Sequence, residues 1–176
     1  MDGPLKMNGA LRALSLKACR ESDNWDTVTQ GQTFSYQAKG TKAHEDLVLQ
    51  FLEDYHDYIQ HWEAGCEIVR RGPFMLKEGG RAKASGMIIP LLEDDSELGA
   101  AEKPLVKLIK LPPSKFESDV SFGWQGCVFL SDQDSRIKVE KSSIKFILLH
   151  AVPKKEDTME NTNTGEGQAV GDMGKL

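Results

Sequence analysis

Residues 42–62 read KAHEDLVLQFLEDYHDYIQHW, and this stretch decides the fold class. Val48, Phe51, Leu52, Tyr55, Ile59 and Trp62 recur at i, i+3, i+4 and i+7, and Leu47 and Tyr58 widen the stripe. That period predicts one long amphipathic helix over 42–62, with a polar outer face. Thr41 is suited to cap its start, Glu45 and Asp46 put negative charge where the helix dipole favours it, and Gly65 is suited to stop it.

On either side of this helix the period falls to two. Before it, Phe34, Tyr36 and Ala38 alternate along 33–38, the pattern of a half-buried strand. After it, residues 66–70 form a short strand, Gly72-Pro73 a turn, and 74–77 a second extended run. Residues 86–92 are apolar, and Pro90 assigns them to a sheet edge or a bulge. Residues 105–111 (LVKLIKL) are extended up to Pro112-Pro113. The last third reads as an antiparallel meander: 124–130, 136–140 and 144–152, with turns at 131–135 and 142–143. Ile137 and Val139 point one way and Arg136, Lys138 and Glu140 the other, which suits a sheet with one wet face. Residues 146–149 (FILL) are apolar on both faces and so belong at a sheet centre. A helix followed by strands, without strand–helix alternation, predicts an α+β fold: an antiparallel sheet packed on one long amphipathic helix, with flexible termini.

The chain has 176 residues, 39% hydrophobic and 28% charged, which suits one domain with segments to spare. Residues 1–29 form a basic leader arm in which Lys6, Arg12, Lys17 and Arg20 face Asp2 alone over the first twenty positions, a balance of +3. Leu11, Leu14 and Ala18 recur there at helical spacing, with Leu5 upstream. Residues 30–152 are the core domain, and 153–176 an acidic tail too poor in large apolar side chains to offset the entropy of ordering it. The net charge of −5 argues against indiscriminate coating of nucleic acid, yet it averages segments of opposite sign. No run approaches the roughly 20 apolar residues of a membrane-spanning helix, and the first residues lack a secretory layout. Cys19, Cys66 and Cys127 are odd in number and widely spaced, so reduced thiols are expected and no zinc signature is present.

Three groups of residues could carry chemistry. Asp54, Asp57 and His61, at i, i+3 and i+7 of the long helix, could hold a metal or serve a small hydrolase, but equally supply the polar face any such helix needs. Residues 77–86 (KEGGRAKASG) combine Gly79-Gly80, whose amides could meet a phosphate, with Lys77, Arg81 and Lys83, and Arg70 and Arg71 are close in sequence. The P-loop order is missing. Lys107, Lys110 and Lys115, interleaved with Leu108, Ile109, Leu111 and Phe116, could extend a basic and apolar patch, or could guard an edge strand against pairing. Trp25 and Trp124 are candidate surface anchors, Trp124 with the stronger case for the core.

The order of these elements resembles the matrix proteins of rhabdoviruses, in particular the short forms of plant-infecting members. The residues that carry it are 33–38 (TFSYQA), the helix 43–62, the run 70–77 (RRGPFMLK) and the strands of 122–152. The resemblance implies a non-enzymatic, self-associating structural protein of the virion and host cytoplasm, peripheral to membrane. Such a protein condenses a viral ribonucleoprotein and contacts an anionic membrane surface. Lys6, Arg12, Lys17, Arg20, Arg70, Arg71, Lys77, Arg81 and Lys83 would then meet phosphates or lipid headgroups, and Leu5, Leu11 and Leu14 would serve self-association. No catalytic residue, metal, cofactor or small-molecule substrate is expected. The budding motifs P-P-x-Y and P-[ST]-A-P are absent, since Ser114-Lys115 follow Pro112-Pro113. Two other classes fit the same chain. One is a cytosolic regulatory or peptide-binding module, working through a sheet edge and the acidic segment 93–102, without membrane or RNA contact. The other is a small hydrolase with an Asp57/His61 site.

Overall fold

A computed structural model describes residues 3–30, 33–83, 86–93, 104–110, 117–120, 127–131 and 135–154. The expected tail beyond residue 154, the acidic segment 94–103, Lys115, Phe116 and Trp124 lie outside the described residues. What is described is mixed helix and antiparallel sheet, in three layers.

The middle layer is a seven-stranded sheet. In spatial order it runs β1 (Gly3–Lys6), β9 (Cys127–Ser131), β6 (Gly86–Pro90), β11 (Ser143–Pro153), β4 (Cys66–Lys77), β3 (Thr33–Gln37) and β2 (Asp26–Gln30). Every pairing in it is antiparallel. The double-faced apolar strand, β11, takes the fourth of seven places, and its alternation builds both cores. Ile147 and Leu149, with Met87 and Ile89 of the neighbouring β6, pack under α1 (Gly9–Arg20), α2 (Lys42–Asp54) and α3 (His56–Glu63). Phe146 and Leu148, with Ile88, face the other way, toward Val106, Ile137 and Val139. Those three belong to a second, four-stranded antiparallel sheet ordered β5 (Arg81–Lys83), β10 (Ser135–Lys141), β7 (Leu105–Lys110) and β8 (Glu117–Val120). Helices therefore cover one face of the large sheet and the small sheet covers the other.

The single long helix is not formed. It is broken at Tyr55 (φ −112°, ψ 18°) into α2 and α3. The cause is tertiary. Tyr55 stacks on Phe51 at 4.9 Å between ring centroids, and its hydroxyl donates to the Lys6 carbonyl at 2.8 Å. Next to it, Asp54 accepts from Asn8 Nδ2 at 2.7 Å and from Gln50 Nε2 at 2.9 Å. Asn8 in turn caps α1 by accepting from the Leu11 amide. The end of α2 is thus held to the start of the chain, and a straight helix would carry both groups away from it.

Three local expectations also change. Pro90 marks neither edge nor bulge: β6 lies between β9 and β11, and β9 pairs only with Gly86–Ile88, so the missing amide falls beyond the shared ladder. Gly72-Pro73 does not turn the chain, because β4 runs straight through it. The register against β11 shifts there, two residues opposite one, which is a bulge. The final strands are not one meander. β10 and β11 sit in different sheets and meet at Ser142, whose φ of 69° turns the chain from one layer into the other.

Residues 3–30 are part of this body. β1 pairs with β9 and α1 packs on α2. Ser15 fastens α1 to the sheet: it is fully buried, donates to the Pro90 carbonyl at 2.7 Å and accepts from the Leu92 amide at 2.9 Å. At the opposite end of β6, Gly86 has φ +122° and a Cβ there would stand 2.1 Å from the Leu149 carbonyl oxygen, so only glycine fits.

Candidate phosphate-binding surface

The strand register of the small sheet brings several charged residues onto one face. Residues directly opposite in an antiparallel pair share a face. Lys138 of β10 stands opposite Arg81 of β5 on one side and Lys107 of β7 on the other. One step along, Arg136 stands opposite Lys83 and Ile109. Ile137 and Val139 are buried between the sheets, so Arg136 and Lys138 point outward. Arg81 and Arg136 are exposed, and Lys107 and Lys138 are half-buried. One row of cations, Arg81, Lys138 and Lys107, thus crosses three adjacent strands with Arg136 beside it, and Asp119 and Glu117 hold the register positions of β8 opposite Lys107 and Ile109.

Glu140 is the acidic member of this face. Its carboxylate accepts from Lys138 Nζ at 2.5 Å. That bond, against the opposing effect of partial burial and with help from Lys107 and Arg81, holds Glu140 below the usual carboxylate range. Three cations from three strands therefore act on one carboxylate, an electrostatic sign that they share a small area.

The sequence named only part of this face. From sequence, Arg81 and Lys83 are phosphate candidates and Lys107 an extension of the patch, whereas Arg136 and Lys138 mark only the wet side of a strand. Their signal was the alternation of β10. What was missing was the pairing that sets β10 between β5 and β7. The Gly79-Gly80 amides are not open donors: Gly79 N–H donates to Val139 O at 2.8 Å and Gly80 N–H to Lys77 O at 2.8 Å. These bonds anchor the turn that presents Arg81.

The other basic residues do not join it. Lys6 follows Leu5 in β1, and Arg12, Lys17 and Arg20 lie on α1, all in or beside the helix layer on the far side of the large sheet. Arg70 and Arg71 are consecutive residues of β4, so they point to opposite faces. Arg70 is on the helix side, where Nη2 lies near Gly40, and Arg71 is on the other. Lys77 Nζ sits 4.5 Å over the Tyr36 ring. Trp25 is half-buried, with Lys145 Nζ 5.9 Å from its ring.

Leu11 is fully buried, so it presents no surface to a second copy, and Leu14 is half-buried against the same core. Leu5 is placed by backbone pairing with Val128. The exposed large apolar side chains among the described residues are Leu49 and Tyr58, on the helix layer.

The polar centre of the helix layer is His44, buried where α1, α2 and β4 meet. The Thr41 amide donates to Nδ1 at 3.0 Å, and Nε2 is 2.8 Å from Ser22 Oγ, which donates to Ala18 O at 2.8 Å. The Thr41 hydroxyl donates to Glu21 at 2.9 Å. A proton on Nε2 satisfies every donor in this chain, so Nε2 donates to Ser22 and is no base toward it. Burial, aided by the Arg70 cation and opposed by Glu21, lowers the His44 pKa. The break at Tyr55 puts Asp54 on α2 and Asp57 on α3, and the side chain of His61, the third member of that expected set, lies outside the described residues. Among the described residues no cluster of three or more His, Cys, Asp or Glu side chains could hold a metal ion, and no helix is long and apolar enough to cross a membrane. Cys19 and Cys66 carry free thiols, and burial raises the pKa of Cys19.

Comparison with known proteins adds no relative: no protein-family model matches the chain, and neither does any curated protein.

Proposed function

We propose that this chain is a non-enzymatic, self-associating structural protein of matrix type, which contacts the phosphates of a ribonucleoprotein or an anionic membrane surface in the virion and host cytoplasm. The observation that supports it is the convergence of Arg81, Lys107, Arg136 and Lys138 on the outer face of the small sheet. A net charge of −5 makes such a concentration a local feature rather than a by-product of a basic chain. With Leu11 inside the core, self-association falls to other surfaces, and Leu49 and Tyr58 are the exposed large apolar groups among the described residues.

Light scattering of the full chain across concentration tests this reading, alone, with single-stranded RNA, and with vesicles of mixed phosphatidylcholine and phosphatidylserine. Growth in particle mass with concentration, and association with at least one of the two polyanions, is expected. A chain that stays monomeric and ignores both would refute it and favour the peptide-binding module.

A further inference from the structure

We infer that the outer face of the four-stranded sheet is a sequence-independent binding site for the phosphates of single-stranded RNA. This rests on the proposed function and narrows it to one partner and one surface.

The geometry is that of a grid. Backbone positions in one row stand about 4.8 Å apart, the spacing of adjacent strands, and the two rows are about 6.8 Å apart, two residues along a strand. Arg81, Lys138 and Lys107 fill one row, and Arg136 with the Lys83 position fills the next. Such a face offers several charge-assisted contacts to an extended polyanion lying across the strands.

One observation favours RNA over a bilayer, and a second favours binding without base recognition. Peripheral membrane binding combines cations with apolar groups that enter the lipid. Leu49 and Tyr58 are on the helix layer, on the opposite side of the large sheet from these cations. Base recognition, for its part, needs aromatic platforms or side chains aimed at base edges. The described residues of this face are Arg81, Lys107, Ile109, Arg136, Lys138 and Glu140, with no aromatic among them. Phosphate contact alone positions a strand without reading it.

The test is fluorescence anisotropy of a labelled, mixed-sequence single-stranded RNA with the full chain between 50 and 200 mM salt. Replacing Arg81, Lys107 and Arg136 by Gln should weaken binding at low salt about tenfold or more and lower the salt slope by about 2, the share of three phosphate contacts on a single strand. A second variant separates this from damage to the fold. Glu140→Gln removes the one carboxylate inside the grid and should tighten binding about two- to fivefold. Lys17→Gln with Arg20→Gln, on the helix layer, should change it less than about twofold. The inference is overturned if the triple variant binds like the wild type, if Glu140→Gln fails to tighten binding, or if the helix-layer variant is the one that loses it. Binding of the wild type to anionic vesicles but not to RNA would also overturn it while leaving the proposed function standing.

Discussion

Replacing Ser15 by Ala tests how the helix layer is joined to the sheet. The hydroxyl is buried and makes two bonds, donating to Pro90 O and accepting from Leu92 N–H where the chain leaves β6. Without it, a buried carbonyl and a buried amide both lose this partner. Each such loss costs about 1–2.5 kcal/mol, so the variant should be less stable by about 2–5 kcal/mol. Out of a typical total of roughly 5–15 kcal/mol, that is a large share. Urea unfolding followed by circular dichroism gives the readout. With a slope of about 2 kcal/mol per molar, the midpoint should fall by roughly 1–2.5 M. Exposed Lys17→Ala on the same helix should stay within about 0.5 kcal/mol of the wild type. Hydrogen exchange adds a local reading, because the Leu92 amide should be protected in the wild type and lose protection in the variant. A midpoint shift below about 0.25 M with Leu92 protection unchanged would refute the reasoning.

Gly86→Ala should cost about 3 kcal/mol or more, through the positive φ and the contact with Leu149 O, and thermal melting would register it. Tyr55→Phe keeps the stacking on Phe51 and loses the bond to Lys6 O; a loss of about 0.5–1.5 kcal/mol is expected in urea titration. His44 has a lowered folded pKa, so between that value and about 6.5 the unfolded chain binds more protons than the folded one. Stability should therefore be fully present above about 6.5 and decline as pH falls through the folded pKa, and His44→Gln should remove that part of the profile; an identical pH dependence in the variant would count against it.

The sequence was legible where one face or one strand decided the matter. The apolar residues on both sides of 146–149 put β11 at the sheet centre, and the alternation of 136–140 set Arg136 and Lys138 outward. It was illegible where a distant partner intervened. Nothing in the period of 42–62 signals the break at Tyr55, because the bond responsible reaches back to Lys6. Local spacing likewise cannot tell that Ser142 sends β11 into a different sheet from β10, nor that Arg81 and Lys107 become neighbours across Lys138. The candidate site was half visible for this reason: the charges could be listed from the sequence, whereas their adjacency is a property of strand pairing.

The place of β11 also bears on how the chain is made. It is the last described strand in sequence and the middle one in space. Until it is synthesised, β1, β9 and β6 on one side and β4, β3 and β2 on the other have no neighbour in common. A nascent chain ending at residue 142 holds the parts of two three-stranded sheets, with Met87, Ile88 and Ile89 lacking the strand that pairs with them. The seven-stranded sheet is thus closed at its centre, and only once residues 143–153 have been made.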